Sequence, residues 1–183
     1  YKVIHNTYDN AIAQRRGNAT HTTITRYVDI AKTLEIERQE ISNLSFDTRG
    51  NVLEQTIELF VPDSGIEKMS RKTEILNSNI SNSGNAQNQS ITAYIYNEST
   101  GTADILTSYQ EILNRTFDSD SNVKNQQVFN YTQKFGTLLD IQEIRNELFD
   151  SRGNVLKQTI ATFAEDWTLL DVKVIANDDV DAL

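Results

Sequence analysis

Cysteine is absent from this 183-residue chain. That excludes a disulfide framework and thiolate metal sites, and it leaves the redox compartment open. Only one proline and seven glycines punctuate the sequence, so long, unbroken strand ladders are compatible with it. No window approaches the roughly 18 consecutive apolar residues of a membrane-crossing helix, and no membrane span is expected. No signal-peptide pattern is present, and the chain opens at Tyr1 rather than at a methionine; a processed chain or a piece of a longer one is the expectation. Basic charge is in deficit, with 17 Lys and Arg against 26 Asp and Glu, a net charge of −9 and a pI near 4.7. No nucleic-acid partner is expected, because a phosphate backbone selects a basic face. Hydrophobic residues make up 38% and mean hydropathy is −0.50, which predicts a thin core. Asn, Gln, Ser and Thr are abundant, and Thr with Tyr and Phe favours strands.

The sequence repeats. Phe46–Phe60 reads FDTRGNVLEQTIELF and Phe149–Phe163 reads FDSRGNVLKQTIATF. Aligning on the residue before each turn gives five copies, whose glycine-equivalent positions Gly17, Gly50, Gly84, Ser121 and Gly153 are spaced by 33, 34, 37 and 32 residues. A sixth copy starts at Thr168, where TLLDVKVIANDDVD matches TLLDIQEIRNELFD at Thr137. The expected units are 1–30, 31–64, 65–101, 102–135, 136–167 and a partial 168–183, together one β-repeat domain. Both ends cut the pattern in mid-unit, so a segment of a longer array is expected.

Asp-x-x-Gly between β-rich runs fits a type I turn followed by a bulge glycine at positive φ. Asp47, Gly50, Gly84, Asp150 and Gly153 are the turn residues on this reading. Each unit is then an antiparallel hairpin, and Pro62–Gly65, Asn97–Gly101 and Gln133–Gly136 carry the turn composition that joins units. The fold class is all-β: an antiparallel meander of about eleven strands from five and a half hairpins, as an elongated sheet or as a shell or barrel. No helix is expected. The 3.6-residue spacing within Leu34–Leu44 has counterparts in other copies that read as strands.

Counting across the turns places Asn43 opposite Gln55, Asn77 opposite Gln89, Asn114 opposite Gln126 and Asn146 opposite Gln158. Ile41 with Ile57, Ile75 with Ile91, Ile112 with Val128 and Ile144 with Ile160 form a second column on the same face, since side chains alternate along a strand. In the first copy His5 falls opposite Thr22, and Val3 and Ile24 hold the apolar column. Hairpins laid edge to edge are expected to align these positions as an isoleucine stripe and an amide ladder. The amides donate and accept and pin the register, because a one-residue slip turns both stripes to the wrong face.

Phe46-Asp47-Thr48-Arg49-Gly50-Asn51-Val52, Phe149-Asp150-Ser151-Arg152-Gly153-Asn154-Val155 and Tyr8-Asp9 resemble the aromatic-Asp-x-x-Gly-x-hydrophobic signature of YD repeats, found in Rhs and teneurin-like shells and in very large bacterial surface proteins. The resemblance spans about eight residues of each unit. It implies an extracellular, elongated β-architecture and no catalytic residues.

Motifs with possible chemistry are few. Asp118, Asp120 and Asn122 resemble the opening of a calcium loop, but the sixth position lacks glycine and Phe129 stands where the bidentate glutamate belongs; Ca²⁺ is the one cofactor candidate, and otherwise none is expected. Glu40, Glu74, Glu111 and Glu143 recur in one column, a like-charge stripe that needs cations beside it. His5 and His21 have no nucleophile or cysteine pattern near them, so no triad can be assembled. Seven Asn-x-Ser/Thr sequons occur, and modification at Asn43 or Asn114 conflicts with the amide ladder. The expectation is a non-enzymatic scaffold of an extracellular surface, filament or tubular assembly, extended at strand edges by copies of itself or by flanking repeats. The alternative is an adhesin or carbohydrate-binding module that presents exposed Tyr94, Tyr96, Tyr109 and Trp167 to surface glycans.

Overall fold

A computed structural model describes residues 1–63 and 65–177. Ser64, in one inter-unit turn, and the acidic end 178–183 of the partial sixth unit lie outside the described residues. The elements in chain order are β1 (Lys2–Thr7), α1 (Ala11–Arg16), β2 (His21–Tyr27), β3 (Glu35–Phe46), β4 (Val52–Asp63), β5 (Ile66–Ile80), β6 (Ala86–Asn97), β7 (Thr102–Phe117), β8 (Val123–Tyr131), β9 (Leu138–Phe149), β10 (Val155–Phe163) and β11 (Leu169–Ala176). Each strand pairs with its sequence neighbours, in the order β1 to β11 across one antiparallel sheet. The expected meander forms, and it stays open with β1 and β11 as its edges, so a closed barrel is excluded. The chain divides into two compact units, Tyr1–Asn77 with Ile91–Ser108, and Ser78–Ser90 with Tyr109–Leu183.

The turns follow from their residues. At the second hairpin the Asp47 N–H donates to the Asn51 carbonyl at 2.9 Å and the Gly50 N–H to the Asp47 carbonyl at 3.0 Å. Gly50 closes the turn at φ +93°, a region costly for any residue with a Cβ. The same two bonds recur around Ser81 and Gly84, Asp118 and Ser121, and Asp150 and Gly153. Ser121 is the exception in chemistry: it holds φ +70° without being glycine.

The first hairpin departs from the sequence reading twice. Its long loop is a helix, α1, where none was expected. Asn10 caps it by accepting from the Ile12 and Ala13 N–H groups, and Gly17 ends it at φ +75° with Arg15 and Arg16 in the last turn. Capping at both ends and cations at the C-terminal dipole make a six-residue helix tenable. The second departure is register. His5 pairs with Thr23, Val3 with Thr25, Ile4 with Ile24 and Asn6 with Thr22, one residue away from the expected pairing. The cause is the turn: Gly17 caps the end of α1 instead of closing a short hairpin turn, so aligning it with Gly50 and Gly153 misplaces the cross-strand partner by one. Asn6, not His5, thus occupies the amide column, and it accepts from the Thr22 hydroxyl at 2.8 Å.

In the second, fourth and fifth hairpins the pairing agrees with the count. Ile41 faces Ile57 and Asn43 faces Gln55, Ile112 faces Val128 and Asn114 faces Gln126, and Ile144 faces Ile160 and Asn146 faces Gln158. Between hairpins the columns do not run straight. Gln55 stands opposite Ile75, Gln126 opposite Ile144, Gln158 opposite Ile175 and Thr22 opposite Ile41. Each of these hairpins is therefore offset by two residues, about 7 Å along the strand. Instead of lying in line, the stripes step diagonally.

Few side chains are fully enclosed, as the low hydropathy predicts. Ile141 is 1% exposed, held between Phe129 of β8 and Phe163 of β10 in register. Val128, Asn114 and Asn146 are buried on the opposite, amide-bearing face.

Candidate functional site

The two-residue offset leaves backbone beyond the end of each inter-hairpin ladder, and the repeated asparagines cover it. Pairing of β4 with β5 ends at Glu54 and Leu76; Asn77 follows, and its Nδ2 donates to the Val52 carbonyl at 3.0 Å. Asn43 does the same to Ala19 at 2.8 Å, Asn114 to Ala86 at 3.0 Å, Asn146 to Val123 at 2.7 Å and Asn177 to Val155 at 2.9 Å. Each acceptor lies two residues past the turn of the preceding hairpin. A strand-end carbonyl left dry costs about 1–3 kcal/mol, so one asparagine per unit removes a recurring penalty and fixes the offset.

The asparagine oxygen serves the hairpin itself. Gln55 Nε2 donates to Asn43 Oδ1 at 2.7 Å, and Gln158 Nε2 to Asn146 Oδ1 at 2.7 Å. At Asn114 the amide contact crosses to the preceding hairpin instead, with Nδ2 3.3 Å from Gln89 Oε1, while Gln126 faces it in register. Hence the contact that recurs from one hairpin to the next is side chain to backbone, and Asn114 adds an amide-to-amide contact across the same boundary. The acceptors Ala19, Val52, Ala86, Val123 and Val155 escaped sequence reasoning because a backbone carbonyl has no residue signature. The asparagine of the partial sixth unit, Asn177, was legible from its alignment with Asn146.

The turns form a second recurring structure. Asp47 Oδ1 accepts from the Arg49 and Asn51 N–H groups, both at 2.9 Å, and Oδ2 from Asn51 Nδ2 at 2.8 Å. The Asn51 side-chain bond, with help from those N–H groups, pulls the Asp47 pKa down to about 2. Asp150 repeats this with Arg152 and Asn154, and its pKa is lowered by the same first cause. Successive turns touch. A Cβ on Gly50 would lie 2.3 Å from Asn18 Nδ2, and one on Gly153 would lie 2.5 Å from Asn122 Oδ1. The positive φ favours glycine at both positions, and a Cβ would in addition push the neighbouring asparagine side chain aside.

Asp118, Asp120 and Asn122, the calcium-loop candidates, occupy the same slot. Asp118 Oδ1 accepts from the Asp120 and Asn122 N–H groups at 2.9 Å, and Oδ2 from Asn122 Nδ2 at 3.0 Å. Its pKa is lowered chiefly by Asn122. Both carboxylate oxygens are committed to the turn, as at Asp47 and Asp150.

The face opposite the isoleucines carries the glutamate column, with cations and hydroxyls interleaved. Glu40 pairs with Arg38, Glu74 with Lys72 at 2.6 Å and Glu143 with Arg145 at 3.2 Å. Glu111 accepts from the Tyr109 hydroxyl at 3.1 Å and the Tyr131 hydroxyl at 3.4 Å. Desolvation, then the adjacent Glu111, raises the pKa of both tyrosines, which keeps them donors. Arg38 also stacks on Phe60 at 4.2 Å and Lys72 on Tyr94 at 5.5 Å. Among the aromatics proposed for glycan contact, Tyr109 is buried and Tyr94 and Tyr96 are half-buried; Trp167 is exposed and leans on Phe163 at 5.5 Å. A shallow depression of about 270 Å³ beside it is lined by Glu143, Arg145, Thr159, Phe163, Leu169 and Val172. His21 is held between Ser42 and Thr23, and His5 is exposed on β1.

No family model and no curated protein matches the chain. A crystal structure of a protein with unknown function from Bacteroides fragilis is similar at a TM-score of 0.40 and 12% identity, covering 96% of this chain and 92% of that one. At that score the likeness carries no argument about function.

Proposed function

We propose that the chain is a structural β-repeat segment of an extracellular surface, filament or tubular assembly. It does no chemistry of its own and extends by adding strands at its edges. The observation that carries this reading is the repeated asparagine bond, from Asn43, Asn77, Asn114, Asn146 and Asn177 to the preceding hairpin. The polar residues most regularly placed in the sequence spend their hydrogen bonds on fixing one hairpin against another. The turn aspartates spend theirs on their own backbone. Such a device is additive, as in other repeat architectures where each unit is stabilised by its neighbours. The aromatic placement also supports a scaffold over a glycan-binding face, since Tyr109 is buried and Tyr94 and Tyr96 are partly covered. The resemblance of the turns to YD repeats supports a surface location.

Immunogold labelling of the source cells tests the reading. Label on the cell surface or along surface filaments is expected. Label confined to the cell interior sinks it, and selective retention on a glycan array would transfer the assignment to the adhesin class.

A further inference from the structure

Tyr109 of β7 and Tyr131 of β8 are cross-strand partners. Their rings lie 5.9 Å apart between centroids at a tilt of 50°, the one tyrosine–tyrosine ring contact among the described residues. In the same row the second hairpin sets Arg38 against Phe60, and the fifth sets Ile141 against Phe163. The fourth hairpin puts two phenols there. Both hydroxyls donate to one carboxylate, Tyr109 to Glu111 Oε1 at 3.1 Å and Tyr131 to Oε2 at 3.4 Å. Sharing that carboxylate turns the two hydroxyls toward one point, and with them the ring carbons ortho to each hydroxyl. Those carbons carry much of the unpaired spin when a phenol is oxidised to a phenoxyl radical. Glu111 is also the base that can take a phenol proton as the electron leaves. Desolvation, then Glu111, raises both tyrosine pKa values, so the phenols meet an oxidant protonated. On the opposite face Gln110 donates to Asn130 at 2.8 Å and Asn130 to Asp140 at 2.6 Å, which fixes the strand register behind the pair. Tyr109 is 4% exposed and Tyr131 is half-buried, so an external oxidant reaches Tyr131 first and Tyr109 through it.

We propose that Tyr109 and Tyr131 are an oxidative cross-linking site, joined as dityrosine by a haem peroxidase with hydrogen peroxide. Each phenol loses one electron and one proton, the proton passing to Glu111 and on to water. The two radicals form one carbon–carbon bond between ortho carbons. The hydrogen on each bonded carbon then moves to its ring oxygen and restores the phenol. The two electrons and two protons released reduce one peroxide to two waters. Rotation of the Tyr131 side chain between staggered positions closes the remaining gap between the rings. The new bond ties β7 to β8 across the Asp118 turn and restricts the unfolded chain, as covalent loop closure does. The site goes beyond the scaffold reading and stands or falls independently of it.

Peptide mapping by mass spectrometry tests this on the full chain, treated at low micromolar concentration with a haem peroxidase and hydrogen peroxide. The expected product is a monomer lighter by two hydrogen atoms, with blue dityrosine fluorescence and a cross-linked peptide joining Tyr109 to Tyr131. Tyr131→Phe should abolish that peptide and most of the monomer's fluorescence, whereas Tyr94→Phe should leave both. Glu111→Gln keeps a hydrogen-bond acceptor but takes up no proton, and should slow the linkage by about tenfold or more. Circular dichroism before oxidation checks that the variants are folded. Absence of the Tyr109–Tyr131 peptide, or fluorescence that arises instead from exposed tyrosines such as Tyr1, overturns the proposal. Linkage as fast in Glu111→Gln as in the parent chain overturns the part given to the carboxylate.

Discussion

Replacing Asn146 by alanine removes both halves of one repeat contact. Asn146 is 7% exposed, donates to the Val123 carbonyl at 2.7 Å and accepts from Gln158 at 2.7 Å. Two net hydrogen bonds are worth about 1 kcal/mol each, and the stranded carbonyl and amide add desolvation cost. Val123 and Gln158 are half-buried, so water relieves part of that cost, and a total loss of about 2–4 kcal/mol follows. Asn177 makes the same backbone bond at 2.9 Å from an exposed position, and its replacement by alanine should cost about 0.5–1 kcal/mol. For a chain of this size each kcal/mol moves Tm by about 2–4 °C, giving a fall of about 4–16 °C for Asn146→Ala and about 1–4 °C for Asn177→Ala. Calorimetry or urea denaturation measures both. A double-mutant cycle with Gln158→Ala should return a coupling of about 1 kcal/mol. Equal losses at the two asparagines, or strict additivity in the cycle, would refute the claim that the asparagine joins a hairpin to its neighbour and to its own second strand at once.

Two further outcomes follow from the turns. Gly50→Ala should destabilise by about 2 kcal/mol or more, since φ +93° strains any Cβ and Asn18 must move aside, whereas Ser121→Gly, at φ +70°, should be neutral or stabilising by up to about 1 kcal/mol; thermal melts that rank these two alike would remove the turn assignment. Asp47 is depressed to about 2 in the folded chain against about 3.9 unfolded, so its stabilisation is complete above pH 4 and is lost as pH falls toward 2, with Asp118 and Asp150 adding in the same direction. Carboxylate NMR titration should find Asp47 low in the intact protein and moved up in Asn51→Ala; an ordinary value in both would show that the Asn51 bond is not made in solution.

The repeat hairpins were legible because their signals are local. Asp47, Gly50 and the alternation from Ile41 to Phe46 lie within a few residues of one turn, where steric limits on φ and the two-residue side-chain period act directly. The first hairpin misled for an equally physical reason. Its turn is a capped helix in which Gly17 is the cap and not a bulge glycine, so the count from Asp9 to Thr22 is off by one, which hid Asn6 and promoted His5. The candidates Asp118, Asp120 and Asn122 were read from residue types that serve a turn and a cation loop alike; the hydrogen bonds place them in the same turn as Asp47 and Asp150.

By itself the sequence determined the strands, the turns, the antiparallel order and the pairing inside the second, fourth and fifth hairpins, because those depend on backbone sterics and on residues close along the chain. Tertiary structure alone decided the two-residue offset between hairpins, and with it which carbonyls each asparagine covers. That offset is set by where one ladder ends against the next, between residues more than twenty positions apart, and no local propensity encodes it.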